Sequence, residues 1–404
     1  MKKVLKTAVV FCAATMFVSS AFASFGLEDK LDVSVDTGIH YTDNRDSSEY
    51  NEVSTMDYNV GLNLVGLLNW EMSQLSYFVS PSLRYRDKPA LNENYAKLLG
   101  AAGFELRHRF SEVFQVALED RFTYTDDQSV DRPGTGVQVR GDESYILNVV
   151  NLDADYFLSR ETKLNLGLNN MIKNYNEKDV GDRSDRGSTG VIGSLAHQFS
   201  TTAAWEAILG YTAYDLASGG LPQKRDFDSF LAAVGLYNNF TAQFTAGIRA
   251  GVQYQNYKDS DIDSNTSPYA SLWAKGYTIP SFRLNGDITH GVTDAADYPF
   301  TSIEYSRASL TINWELTKKL ILRGLGSYQY EDYDSSSSQD IPISFFPKGR
   351  SEGSKEIAVA QLALVYKIRE DFDITISQRY EGVDSQVTET YTKNDTVLSL
   401  SYLF

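Results

Sequence analysis

Alternation of apolar and polar positions recurs along this chain. At its end, Thr396, Leu398, Leu400, Tyr402 and Phe404 share one parity, while Asp395, Val397, Ser399 and Ser401 share the other. Phe372, Ile374, Ile376 and Tyr380 oppose Asp373, Thr375, Ser377 and Arg379 in the same way. Phe244, Ile248, Val252 and Tyr254 oppose Thr245, Arg249 and Gln253, and Leu164, Leu166 and Leu168 oppose Lys163, Asn165 and Asn169. A period of two is the signature of a strand with one face in a polar and one in an apolar medium. The segments run for roughly 10 to 14 residues, enough for a tilted strand to cross a bilayer. Soluble sandwiches show the same alternation in strands of about 5 to 6 residues. Strand length therefore points to a membrane barrel.

Two kinds of connection separate the strands. Short turns follow Trp70, Phe110, Phe199, Phe240 and Trp314. Long stretches rich in Asp, Ser, Gly and Asn fall near 42–54, 127–141, 176–187, 215–225, 258–267, 293–299, 334–352 and 383–389. Short turns on one side and long polar loops on the other is the asymmetry of outer-membrane barrels, with the short side periplasmic. Anchors at the short side are Trp70, Phe110, Tyr156, Phe199, Phe240, Tyr277, Trp314, Ile368 and Phe404. They recur at roughly 40 residues, one hairpin per repeat. Nine anchors predict an all-β, antiparallel transmembrane barrel of 18 strands; 16 is the alternative, because 267–278 alternates poorly. Tyr41, Tyr124, Tyr211, Tyr254 and Tyr380 then form an outer aromatic girdle, with Trp70, Phe110, Phe199, Phe240, Trp314 and Phe404 as the inner one. On this reading no residue occupies an ordinary core position.

Composition agrees: 26 Tyr and 21 Phe among 404 residues, with only 9 Pro, suit a long β-protein. Residues 1–23 read as an export signal and 24–404 as a single barrel domain. Lys2, Lys3 and Lys6 precede the apolar run 7–18, and Ala21-Phe22-Ala23 offers a small-x-small cleavage site before Ser24. The run is too short for a spanning helix, which needs about 20 residues. Its removal takes away three lysines, no acid and the only cysteine, Cys12. A remainder more acidic than the full chain's net charge of −16 argues against nucleic acid as a partner.

The last residues, Leu398, Leu400, Tyr402 and Phe404, resemble the C-terminal signature of outer-membrane barrels, which implies recognition by the barrel assembly machinery. The whole chain resembles the type 2 β-barrel porin family in its size, the loop Tyr41-Thr-Asp-Asn44, the recurring Phe-Ser/Thr turns and the Tyr-Leu-Phe end. Members often accompany exopolysaccharide export loci, so the resemblance implies outer-membrane lipid as the surroundings and polysaccharide or small polar solutes as cargo.

Charges of inward parity are the candidate functional residues: Arg84, Arg86, Arg107, Arg109, Arg121, Arg249, Arg283, Arg307, Arg323 and Arg379, with Glu119, Asp153, Asp287 and Asp373. About 18 strands leave an aqueous channel, so these charges are expected on a wet wall, contacting anionic or hydroxylated solutes or pairing between strands. A plugged barrel acting through its extracellular loops is the rival reading, and a barrel lipid hydrolase a third. Enzyme chemistry finds little support. His40, His108, His197 and His290 lack metal-ligand spacing, and no Gly-x-Ser-x-Gly motif is present. No cofactor is expected. Asp259, Asp261 and Asp263 lack the Gly and closing Glu of a calcium loop. The apolar stretch 341–347 inside loop 334–352 is a candidate constriction or docking element. Asp120 breaks the pattern with outward parity between Leu118 and Phe122, for which a bulge or a subunit interface is the expected explanation.

Overall fold

The computed structural model describes residues 30–45, 47, 52–89, 95–126, 144–217, 226–259, 262, 264–295, 300–333, 348 and 352–404. The expected export signal 1–23, the stretch 341–347, Asp261 and Asp263 lie outside them. The strands are β1 (Lys30–Thr42), β2 (Thr55–Asn69), β3 (Ser73–Arg86), β4 (Ala96–Arg109), β5 (Phe114–Thr125), β6 (Tyr145–Phe157), β7 (Thr162–Tyr175), β8 (Arg186–Gln198) and β9 (Ala203–Leu216). They continue as β10 (Phe227–Thr241), β11 (Phe244–Tyr257), β12 (Asn265–Ile279), β13 (Phe282–Asp294), β14 (Ser302–Glu315), β15 (Leu320–Tyr333), β16 (Gly353–Arg369), β17 (Phe372–Ser385) and β18 (Tyr391–Leu403). One short helix, α1 (Lys178–Ser184), lies between β7 and β8.

Every strand pairs with its sequence neighbours, and β1 also pairs with β18, closing an 18-stranded antiparallel barrel. Closure follows from chemistry: in hydrocarbon every backbone N–H and C=O needs a partner, and only a sheet without edges supplies them. The seam runs from Ser34↔Leu403 to Thr42↔Asp395. It is fastened at one end by the Phe404 N–H donating to the Val33 carbonyl at 2.9 Å. At the other end, Asn394 donates to Asp43 at 2.8 Å and Asn44 to the Thr392 carbonyl at 3.0 Å.

Register carries the predicted parity round the ring. Ile376, Leu398, Ile39 and Tyr58 stand in register across β17, β18, β1 and β2, all on the exposed apolar face. Tyr41, Tyr254 and Tyr380 are exposed near the loop ends, and Trp70, Phe110, Phe199, Phe240, Trp314 and Phe404 at the turn ends, where amphipathic rings meet the two interfaces. The poorly alternating segment is a full strand, β12. Its turn end carries a register shift between Tyr277 and Ile279. Gly276 sits there at φ +125°, where a Cβ would lie 1.8 Å from the Gln243 carbonyl oxygen. Only glycine accommodates that approach. A ninth long connection, between β3 and β4, escaped the sequence reading.

One expectation is narrowed and another overturned. Asp120 sits in unbroken register between Phe104 of β4 and Val150 of β6, so no bulge turns it away. Its carboxylate instead accepts from Asn148 Nδ2 at 2.7 Å on the same outer face. The barrel also has a core. Ala295, Phe300, Ile303, Tyr333 and Val387 form one buried cluster; Leu216, Phe227, Tyr257 and Ile262 form a second; Ile357, Val359, Val383 and Tyr391 form a third. All three lie at the loop ends of the strands.

Candidate functional site: the lumen wall

With the apolar rows outside, the opposite parity faces the lumen, and every charge singled out from sequence falls on it. Their surroundings change with height. At the turn ends and toward mid-height, Arg107, Arg109, Glu119, Arg121, Asp153, Arg283 and Arg323 are exposed, and Asp373 is half-buried. The Arg107 side chain is 64% exposed while pairing with Glu105. An exposed charge inside a closed ring requires water in the ring at that height. A cavity of about 650 Å³ opens there, bordered by Gln74, Glu105, Arg107, Gln115, Asp153 and Asp155.

Amides organise the wall beside it. Gln115 and Asn165 each donate to Asp155 at 2.9 Å, and Lys163 approaches it at 2.8 Å. Asn169 donates to Asn151 at 2.6 Å, and Asn151 to Glu119 at 3.3 Å. These side chains lie on adjacent strands at matching registers, the reach of cross-strand pairs.

At mid-height Arg249, Arg307 and Arg379 are half-buried and paired. Arg249 Nε meets Glu206 at 2.6 Å, Arg307 meets Asp287 at 3.7 Å, and Arg379 meets Glu381 at 2.8 Å. Beside Arg249, Tyr237 and Trp273 stand on the inner wall with ring centroids 6.3 Å apart, and Arg249 and Lys275 flank the indole at 5.7 and 5.3 Å. Gly247, opposite both rings in register, makes room for them: a Cβ there would come within 2.9 Å of the Trp273 ring.

Toward the loops, water is excluded. Asp57, Arg84, Lys97, Lys173, Asp294, Glu331, Lys355 and Glu381 are all buried. Arg84 and Arg86 therefore depart from the wet-wall expectation. Arg86 donates to both Asp57 oxygens at 2.7 and 2.8 Å. Arg84 grips Asp126 through Nη1 at 2.6 Å and also through Nη2, with Lys97 3.6 Å from the same carboxylate. Burial alone would push the Asp126 carboxyl up, but Arg84, Arg86 and Lys97 outweigh it and hold the group below its ordinary value. Arg186 on β8 reaches Asp294 at the end of β13 at 3.1 Å, both buried, joining strands five places apart in the ring. Sequence offered no sign of that contact. Nor did it single out Tyr257, Gln253, Trp273 or Gly291, although a proline at 268 inside the poorly alternating segment was a visible irregularity.

The C-terminal signature lies on the outer surface of the barrel. Leu398, Leu400 and Tyr402 face outward on β18, and Phe404 is exposed at the turn end, its ring 4.9 Å from that of Tyr402. Of the calcium candidates only Asp259 is described, and no group of His, Cys, Asp and Glu suited to a metal occurs among the described residues.

A model of the family described as "Putative beta-barrel porin 2" matches residues 31–403. The chain belongs to that family. Among solved structures, this porin is similar to the outer membrane protein opdK from Pseudomonas aeruginosa, at 10% identity over 94% of this chain and 100% of that one, with a TM-score of 0.50. It is also similar to OpdO from Pseudomonas aeruginosa (12% identity, 93% and 97% covered, TM-score 0.48) and to OccAB4 from Acinetobacter baumannii (10%, 93% and 98%, 0.47). At such identities the likeness to opdK speaks for the barrel fold alone. No curated protein matches the sequence. Family and architecture together make the porin an outer-membrane barrel of the channel type.

Proposed function

We propose that this porin is a water-filled channel for polar solutes, reached in the outer membrane after export and insertion by the barrel assembly machinery. The observation that carries the reading is the set of exposed charges inside the closed ring, Arg107, Arg109, Glu119, Arg121, Arg283 and Arg323. Charges of both signs on one wet wall orient dipolar and anionic solutes. The amides at Gln115, Asn151, Asn165 and Asn169 and the rings of Tyr237 and Trp273 are surfaces to which sugar hydroxyls and sugar faces bind. They support, within the same reading, a polysaccharide leaving the cell.

Planar bilayers test the channel. Purified barrel is expected to give discrete conductance steps, and Arg323→Glu to move the zero-current potential in a salt gradient toward cation preference. Conductance no greater than that of the bare bilayer refutes the proposal. The buried outer end, with Tyr145, Phe227 and Phe300 wholly enclosed, favours a second reading: a barrel closed at its loop end that acts through its loops. That reading requires silent bilayers and a phenotype that follows loop substitutions.

A further inference from the structure

The barrel wall is split between the outer ends of β12 and β13. The β11–β12 ladder continues to Gln255↔Asn265, and β13–β14 to Asp294↔Ser302, but β12–β13 stops at Ala270↔His290. Residues 265–269 and 291–294 therefore do not pair with each other.

Proline explains where the ladder fails. Pro268 pairs with Val252 of β11 without interrupting that ladder, so the side of Pro268 that lacks an N–H faces β13. Continuing the β12–β13 register would place Val292 opposite Pro268, in a pair that needs the missing donor. The Val292 backbone finds both bonds elsewhere. Its N–H donates to Gln253 Oε1 at 2.9 Å, and its carbonyl accepts from Gln253 Nε2 at 3.3 Å. Gln253 stands on the inner face of β11, so the end of β13 has crossed to the lumen side of β12. Gly291 permits the crossing: a Cβ there would lie 2.4 Å from Gln253 Oε1. Val292 has outward parity yet is buried.

The displaced strand ends, 291–295 and 300–302, then lie across the outer lumen. Ser302 meets the Tyr257 hydroxyl at 2.7 Å, Asp294 meets Arg186 at 3.1 Å, and Phe300 packs edge-on against Tyr333 at 4.6 Å. One strand end thus has two hydrogen-bonded homes. The first is the Gln253 amide in the lumen, and the second is the open edge of β12 in the wall, at the cost of one bond. Two discrete arrangements of similar bonding make a switch rather than a graded hinge.

We propose that the outer end of β13 is the gate of the channel: residues 291–294 move between Gln253 and the β12 edge, and solutes pass in the second arrangement. The proposal rests on the channel reading. A crosslink tests the movement apart from the conduction. In a Cys12→Ala background, Ser267→Cys with Thr293→Cys places thiols opposite each other only in the wall register, as a non-hydrogen-bonded pair with Cα atoms about 4.5 Å apart, within disulfide reach.

Mild oxidation of the folded double variant is expected to form the bond, seen as proteolytic fragments that separate only under reductant, and to raise single-channel conductance several-fold. Pro268→Ala, which restores the donor without thiols, is expected to raise the open fraction. Failure of the bond to form in the folded barrel overturns the gate, as does unchanged conductance once it has formed. In either case conduction in the reduced state leaves the channel itself standing. A crosslinked barrel that conducts in neither redox state overturns the gate and the channel together.

Discussion

Replacing Asp57 isolates what the buried charges at the loop end contribute. Asp57 is 2% exposed, and its carboxylate accepts from Nε and Nη2 of Arg86 in a fork and lies 3.9 Å from Arg84 Nε. At an effective dielectric near 20, each cation at about 4 Å attracts the carboxylate by about 4 kcal/mol, much of it offset by the loss of water around all three groups. The offset remains after substitution because the arginines stay buried. Removing one partner of a buried pair therefore costs about 3–5 kcal/mol, and Asp57→Ala is expected in that range. Asp57→Asn, which keeps an acceptor for one guanidinium N–H, should lose about half as much.

The assay is thermal melting of β-structure by circular dichroism in detergent micelles. In a chain of this size about 2 °C accompanies each kcal/mol, so Asp57→Ala should melt on the order of 5–10 °C lower. Asp57→Leu with Arg86→Met should recover much of the loss, because no charge is then left unmatched at that position. A shift under about 1 °C for Asp57→Ala would refute the reasoning, since it would mean that water reaches this end of the lumen and screens the site.

Acid provides another check. The Asp126 carboxyl titrates below the ordinary 3.8 in the folded barrel, so its contribution is complete above that value and is lost as pH falls through the lower folded value. The melting difference between wild type and Asp126→Asn should be full at pH 7 and shrink below about pH 4; a difference independent of pH speaks against a charged Asp126. On the outer face, Asp120→Leu with Asn148→Leu replaces a polar pair turned to lipid, and should raise stability by about 1–2 kcal/mol in bilayers; a lower melting temperature would show that the pair is covered by something other than acyl chains. Arg84→Gln should leave ion selectivity unchanged while lowering the melting temperature, because Arg84 lies above the wet zone; an altered zero-current potential contradicts that placement.

Architecture was readable because a barrel repeats its signals: parity along each strand, an aromatic at each short turn, polar loops between. Nine anchors sufficed for 18 strands even though the loop between β3 and β4 was missed, since Ala90 and Leu91 divide its polar residues into two short runs. The lumen was legible only in part. Parity tells which face a side chain occupies but not how far water penetrates along that face. Arg84 and Arg323 look alike in sequence; one is enclosed with Asp126 and Asp57, the other exposed. Inner-face aromatics such as Tyr145, Phe227 and Tyr333 were the readable sign of a dry zone, because a wet wall has no reason to carry them. Asp120 was placed on the correct face, but no bulge accompanies it and its partner Asn148 was not foreseen, since Asn148 lies diagonally across a strand pair and pairing distance is not written in either segment.

This division by height has a consequence for how substitutions should behave. At the loop end, buried clusters and matched ions resemble the interior of a soluble domain, so changes there act on stability. At the turn end the inner wall is solvated, so changes there act on conduction and leave stability nearly untouched. The β13–β14 hairpin end belongs to both classes, because its apolar residues Phe300 and Ile303 are part of the dry core while its backbone closes the passage. Phe300→Ala should therefore lower stability and raise conductance together, a pairing that neither zone produces alone. A loss of stability with conductance unchanged would assign this hairpin to the core only.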